Sequence, residues 1–196
     1  MISTISKEVI EENIDLVKSY ILKTKFKEVS RIEYRTFDEG VCDAYIFTIA
    51  KSSIVDGIDA FTTLYNSALH FFEYWELSDT TKEDADNITD LWMLPEINKY
   101  TFKKLSKDDV HKEIDSLIYT IKSVIKDSVR SGKYKQDPNR WGVYLNNKEF
   151  SIDTNFSELG VGEVISGISL EQEFNSVEIM FQTDDLYALF SWGTGA

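Results

Sequence analysis

Apart from its acids, the chain is poor in side chains that do chemistry: 2 histidines and 1 cysteine stand beside 34 aspartates and glutamates. His111 has Asp108 three residues before it and Asp115 four after. That spacing puts an imidazole and two carboxylates on one helix face, where they could hold a divalent metal. Acids in a first helical turn also stabilise the helix dipole with no ligand present, so none is assigned as a metal ligand. His70, with Glu73 one turn on, falls in an aromatic helix and reads as a core or boundary histidine. Cys42 alternates with Ala44 and Ile46 on an expected strand, which suits a buried, inert thiol. A nucleophile would need a depressed pKa and a nearby base, and the sequence offers neither locally.

The phosphate and metal motifs fail in specific ways. Gly160-Val161-Gly162 with Gly167 lacks the third glycine of a dinucleotide fingerprint, and no P-loop lysine follows a glycine-rich turn. Asp84-Ala85-Asp86 begins like a calcium loop, but Ile88 and Thr89 fill the third-ligand and glycine positions and Pro95 replaces the closing glutamate. No catalytic residue and no cofactor is assigned. The expectation is a non-enzymatic protein, with a small enzyme using a carboxylate-based active site as the alternative.

Charge is the stronger signal. The net charge is −13, and it is unevenly laid out. Residues 38–98 carry 2 basic against 13 acidic side chains, and residues 142–196 carry 1 against 9. Between them, residues 99–141 carry 11 basic against 6 acidic. Such a field repels nucleic acid and anionic membrane and speeds encounter with a basic partner. The surplus of the basic stretch is small, and a solvated helix face or an internal match to the acidic stretches accounts for it.

The elements that must position these groups are readable from periodicity. Residues 6–26 read as an amphipathic helix capped by Ser6, with Ile10, Ile14, Val17 and Ile21 on one stripe. Residues 29–37 and 41–50 read as an antiparallel hairpin turning at Asp38-Glu39-Gly40. A second helix spans 57–77, capped by Asp56 and heavy in aromatics. Residues 78–90 are polar and acidic, a surface loop or short helix, and Pro95 is expected to stop any helix. The third helix runs from the Ser106 cap to Gly132 with Val110, Ile114, Leu117, Ile118, Ile121, Ile125 and Val129 as its buried stripe. Strands follow at 141–145, 148–153, 163–170, 176–183 and 186–192, with a tight turn at Asn146-Asn147. The fold class is α+β: about three main helices on a mostly antiparallel sheet, ending in a C-terminal β-meander. A single domain over 1–196 is expected, helix-rich over 1–140 and β-rich over 141–196.

The acidic segment and its aromatic neighbours form the candidate partner-binding set: Glu73, Trp75, Glu76, Asp79, Glu83, Asp84, Asp86, Asp90 and Trp92. Aromatics beside carboxylates anchor cationic groups, and the carboxylates steer them. The acidic C-terminal strands are the other candidate interface. In composition the chain resembles bacterial immunity proteins, small acidic proteins that bind basic nuclease-type toxins. That resemblance implies a basic protein partner, neither nucleic acid nor membrane, and no specific residues. A phage-type mimic of nucleic acid is the related reading. Met1–Glu8 lacks the basic and apolar regions of a signal peptide, and one cysteine suits a reducing compartment, so a cytoplasmic location is expected.

Overall fold

The computed structural model describes residues 2–35, 42–73, 80–131, 142–173 and 175–194. Eight strands form one sheet: β1 (Ser30–Arg35), β2 (Cys42–Ala50), β3 (Lys103–Ser106), β4 (Gly142–Leu145), β5 (Lys148–Phe150), β6 (Val164–Gln172), β7 (Ser176–Thr183) and β8 (Leu186–Thr194). Their order is β3-β6-β7-β8-β2-β1-β4-β5, and every pairing is antiparallel. The α+β class and the closing β6-β7-β8 meander are as the sequence implies. The helix-rich and β-rich stretches do not form separate halves, because β1 and β2 lie between β8 and β4 in the middle of the sheet.

Helices cover both faces. Helix α6 (Lys107–Ser131) lies on one, its stripe Val110, Ile114, Ile118, Ile121 and Ile125 buried against Ile32, Ile46, Ile179, Phe181 and Phe190. Each such aliphatic contributes about 2 kcal/mol by leaving water. Ser106 caps this helix: its hydroxyl accepts from the Asp109 backbone N–H at 3.2 Å and donates to the Asp109 carboxylate at 2.7 Å. At Gly167 the helix comes so near the sheet that a Cβ would stand 2.8 Å from Val110 Cγ2. The opposite face carries α1 (Lys7–Glu12), α2 (Ile14–Thr24), α3 (Gly57–Glu73), α4 (Lys82–Asn87), a π-helix (Ile88–Met93) and α5 (Leu94–Ile97). Ile21, Phe61, Leu64, Met93 and Ile97 of these helices share a core with Phe47, Leu170, Met180 and Leu189 of the sheet.

The structure corrects the sequence reading at four places. The first helix is two, because the Asn13 side chain donates to the Val9 carbonyl at 2.8 Å while its backbone leaves helical geometry. Pro95 does not end the helical path: it sits in the first turn of α5, where its missing N–H is tolerated, after a wide π-turn that spares its ring a carbonyl clash. Lys103–Ser106 is an unforeseen strand, pairing with β6. The fifth strand stops at Phe150 rather than Asp153. Residues 38–40, 74–77 and Gly132, expected to be a turn, a helix end and a cap, lie outside the described residues.

Candidate functional site

Three of the seven acids in the candidate set, Asp84, Asp86 and Asp90, do local work. Trp75, Glu76 and Asp79 lie outside the described residues, as do the side chains of Glu73, which closes α3, and Cys42, which opens β2. Asp84 forms a capping box with Thr81, whose backbone N–H and hydroxyl donate to it at 2.8 and 2.7 Å and hold its carboxyl below the usual carboxylate range. Asp86 and Asp90 flank the Lys18 ammonium of α2 at 2.9 and 3.6 Å. Glu83 is exposed, and Trp92 is half-buried on the π-helix. The basic helix is matched internally to the second acidic stretch. Lys107 pairs with Glu163, Lys126 pairs with Asp153 at 2.6 Å, and Lys122 donates to the Thr154 carbonyl at 2.8 Å.

His70 is buried on α3, as a core histidine should be. His111 and Asp115 meet at 3.6 Å on α6, and Asp108 stays exposed in the first turn. Among the described residues no group of three or more histidines, cysteines or carboxylates is arranged to hold a metal ion.

The sheet brings together acids that the sequence scatters. Residues directly opposite in antiparallel strands point to the same face. The registers then align one row across seven strands: Glu171, Glu178, Ser191, Tyr45, Glu33, Tyr144 and Glu149. Near one end of the row, Glu33 is buried between two guanidiniums, Arg31 Nη2 at 2.8 Å and Arg35 Nε at 2.8 Å. Burial opposes its ionisation, but the two arginines outweigh burial and keep its pKa low. Arg31 also stacks on Phe71 and Arg35 on Tyr144, at 3.9 and 4.1 Å from the ring centres.

At the other end lies an acidic cleft of about 220 Å³, lined by Asp43, Tyr45, Phe72, Glu171, Glu178 and Trp192 with small residues between them. Glu178 is half-buried as a residue, but its carboxyl group sits deep. Burial pushes that carboxyl up to about 7, with repulsion from Glu171 and Glu96 adding to it. Tyr100 donates its hydroxyl to Glu178 at 2.6 Å, and Ser176 donates to Glu171 at 2.8 Å. Among the described residues no lysine or arginine ion-pairs with Glu171 or Glu178. Lys99, beside Glu171 and Glu173, is paired with Glu96 at 2.8 Å.

Sequence reasoning missed this cleft because its acids come from three strands joined by long-range pairing. The one available signal was Glu178, a carboxylate standing between Val177 and Ile179 on an expected strand. No family model, curated protein or solved structure matches this chain. No helix among the described residues is long and apolar enough to cross a membrane.

Proposed function

We propose that this protein is a non-enzymatic, acidic binding protein that neutralises a basic protein partner, in the manner of an immunity protein inhibiting a nuclease-type toxin in the cytoplasm. One observation carries this: carboxylates from both acidic stretches, Asp43 from the first and Glu171 and Glu178 from the second, line one cleft, and Glu96 lies near enough to raise Glu178 further. Tyr45, Phe72 and Trp192 line that cleft beside the acids. An arginine or lysine of the partner finds there a paired carboxylate, an aromatic face and little competing positive charge. The interface therefore centres on the sheet, with exposed Glu83 on α4 as a more distant contributor to steering.

The test is capture of basic proteins from native lysate at low and moderate salt, followed by titration of the purified partner and assay of its nuclease activity. Stoichiometric, salt-sensitive binding that blocks the nuclease supports the proposal. Neutralising Glu171 and Glu178 together as glutamine should weaken binding about tenfold or more, and Glu83→Gln less than about twofold. Affinity should also rise from about pH 6 to about pH 8, as Glu178 loses its proton to solvent and the resulting carboxylate pairs with a cationic side chain. Capture indifferent to ionic strength, or affinity unmoved by the double variant, would sink it.

The raised pKa of Glu178 beside Glu171 favours one second reading, a small enzyme with a carboxylate general acid. That reading requires a turnover that Glu178→Gln abolishes.

A further inference from the structure

A cavity of about 490 Å³ lies on the opposite face of the sheet from the acidic cleft, between α6 and the segment 155–162. One wall is a run of α6 side chains at helical spacing: His111, Asp115, Ile118, Tyr119 and Lys122. The other wall contains Phe156. Hydrogen bonds within its own segment order that wall: the Glu158 backbone N–H donates to Asn155 Oδ1 at 3.0 Å and the Asn155 N–H to Glu158 Oε2 at 2.8 Å.

Tyr34 of β1 lines the cavity too, and it is the odd residue there. Its side chain is fully buried, and its hydroxyl has no hydrogen-bond partner among the described residues. A buried hydroxyl without a partner costs about 1–3 kcal/mol, so such groups are ordinarily satisfied by something. Lys122 is half-buried and uses one of its three donors on the Thr154 carbonyl. Burial pushes its ammonium pKa down, so an anion nearby would stabilise its charged form. Asp115 stands with its side chain 64% exposed and turned to His111, so solvent screens its repulsion of an anion. Ile118, Tyr119 and Phe156 supply the apolar and aromatic part of the lining, beside the small or polar Asn155, Ser157 and Gly162.

We propose that this cavity binds a small organic carboxylate. Its acid group takes hydrogen bonds from Tyr34 Oη and Lys122 Nζ, and its hydrocarbon or ring body packs on Ile118, Tyr119 and Phe156. The volume falls in the range of small-molecule sites, as does the mix of apolar walls with a few polar groups. The proposal is independent of the basic partner, because neither Tyr34 nor Lys122 belongs to the acidic cleft.

Phenylacetate and benzoate, each beside its neutral amide, are the probes, with binding read by nuclear magnetic resonance and by thermal shift on the full chain. Saturable binding of the acids, at least about tenfold tighter than the amides, is expected. Lys122→Met should lower acid affinity about tenfold or more, and Tyr34→Phe about fivefold. Tyr34→Phe should leave the ligand-free melting temperature unchanged or raised, since it deletes a hydroxyl that has no partner. Three results would each overturn the proposal: no saturable binding of either acid, equal binding of acid and amide, or unchanged acid affinity in both variants. A ligand-free Tyr34→Phe protein that melts markedly lower would do so as well, by showing that the hydroxyl already has an internal partner.

Discussion

Two glutamates of one row across the sheet, Glu33 on β1 and Glu178 on β7, meet opposite fates. They are three strands apart, about 14 Å, and both carboxyl groups are largely withdrawn from water. Glu33 is held by Arg31 and Arg35 and stays ionised. Glu178 has a tyrosine hydroxyl and acidic neighbours, and it holds its proton to about 7. Burial penalises the charged form in both, and the presence or absence of arginine decides the outcome. The first site is complete within the fold. The second is a cleft whose Glu171 and Glu178 have no lysine or arginine ion-paired to them among the described residues, and that is where the proposed cationic partner would gain most.

The largest effect should come from breaking the Glu33 clamp. Replacing Arg31 and Arg35 together with alanine leaves a buried, unpaired carboxylate and should destabilise the fold by about 3–5 kcal/mol in urea unfolding at neutral pH. Adding Glu33→Gln should recover part of that loss. If the double arginine variant loses less than about 1 kcal/mol, the contrast between the two ends of the row is wrong.

Next is Glu178→Gln, which keeps an acceptor for Tyr100 and removes the charge. A carboxyl whose folded pKa is raised binds its proton more tightly in the native state. Its stabilising contribution is therefore full at acid pH and fades as pH rises from the unfolded value of 4.5 through about 7. The variant should match the parent near pH 4 and exceed it by about 2–3 kcal/mol at pH 8, as read from melting curves across that range.

Tyr100→Phe should then cost about 1–2 kcal/mol at pH 8 and move the Glu178 titration, followed by carboxyl carbon resonance, to still higher pH. An unmoved titration would show that the 2.6 Å hydrogen bond does not hold the ionised form. The smallest effect is expected for Phe71→Leu, which removes the ring under Arg31 at the cost of about 0.5–1 kcal/mol while leaving Glu33 ionised.

Local rules made much of the scaffold legible. The stripe of α6 obeys the 3.6 period, Ser106 and Asp56 cap as their side-chain chemistry suggests, and Asn146 and Asn147 take the positive φ of 49° and 66° that a tight hairpin needs. What stayed hidden depended on partners remote in sequence. Lys103-Lys104-Leu105 shows no alternation and becomes a strand only because β6 offers an edge. The cleft exists because β2 pairs with β8 and β8 with β7, which brings Asp43 to Glu178. Conversely, Asp84, Asp86 and Asp90 form a dense acidic run in the sequence, yet Thr81 and Lys18 already engage them. Density of charge along a chain is thus a poor guide to charge left over after folding.

The sheet ends on β3 and β5, of four and three residues, and rims this short bear on whether copies of the molecule stick edge to edge. Both rims carry exposed lysines, Lys103 and Lys104 on one and Lys148 on the other. A short rim studded with ammonium groups is a poor template for a further strand, which disfavours both self-propagation into fibres and capture of an extended peptide along the rim. Lys148 is the sole basic residue of its stretch, and it stands where an otherwise acidic, β-rich sequence most needs a guard against sticking to itself.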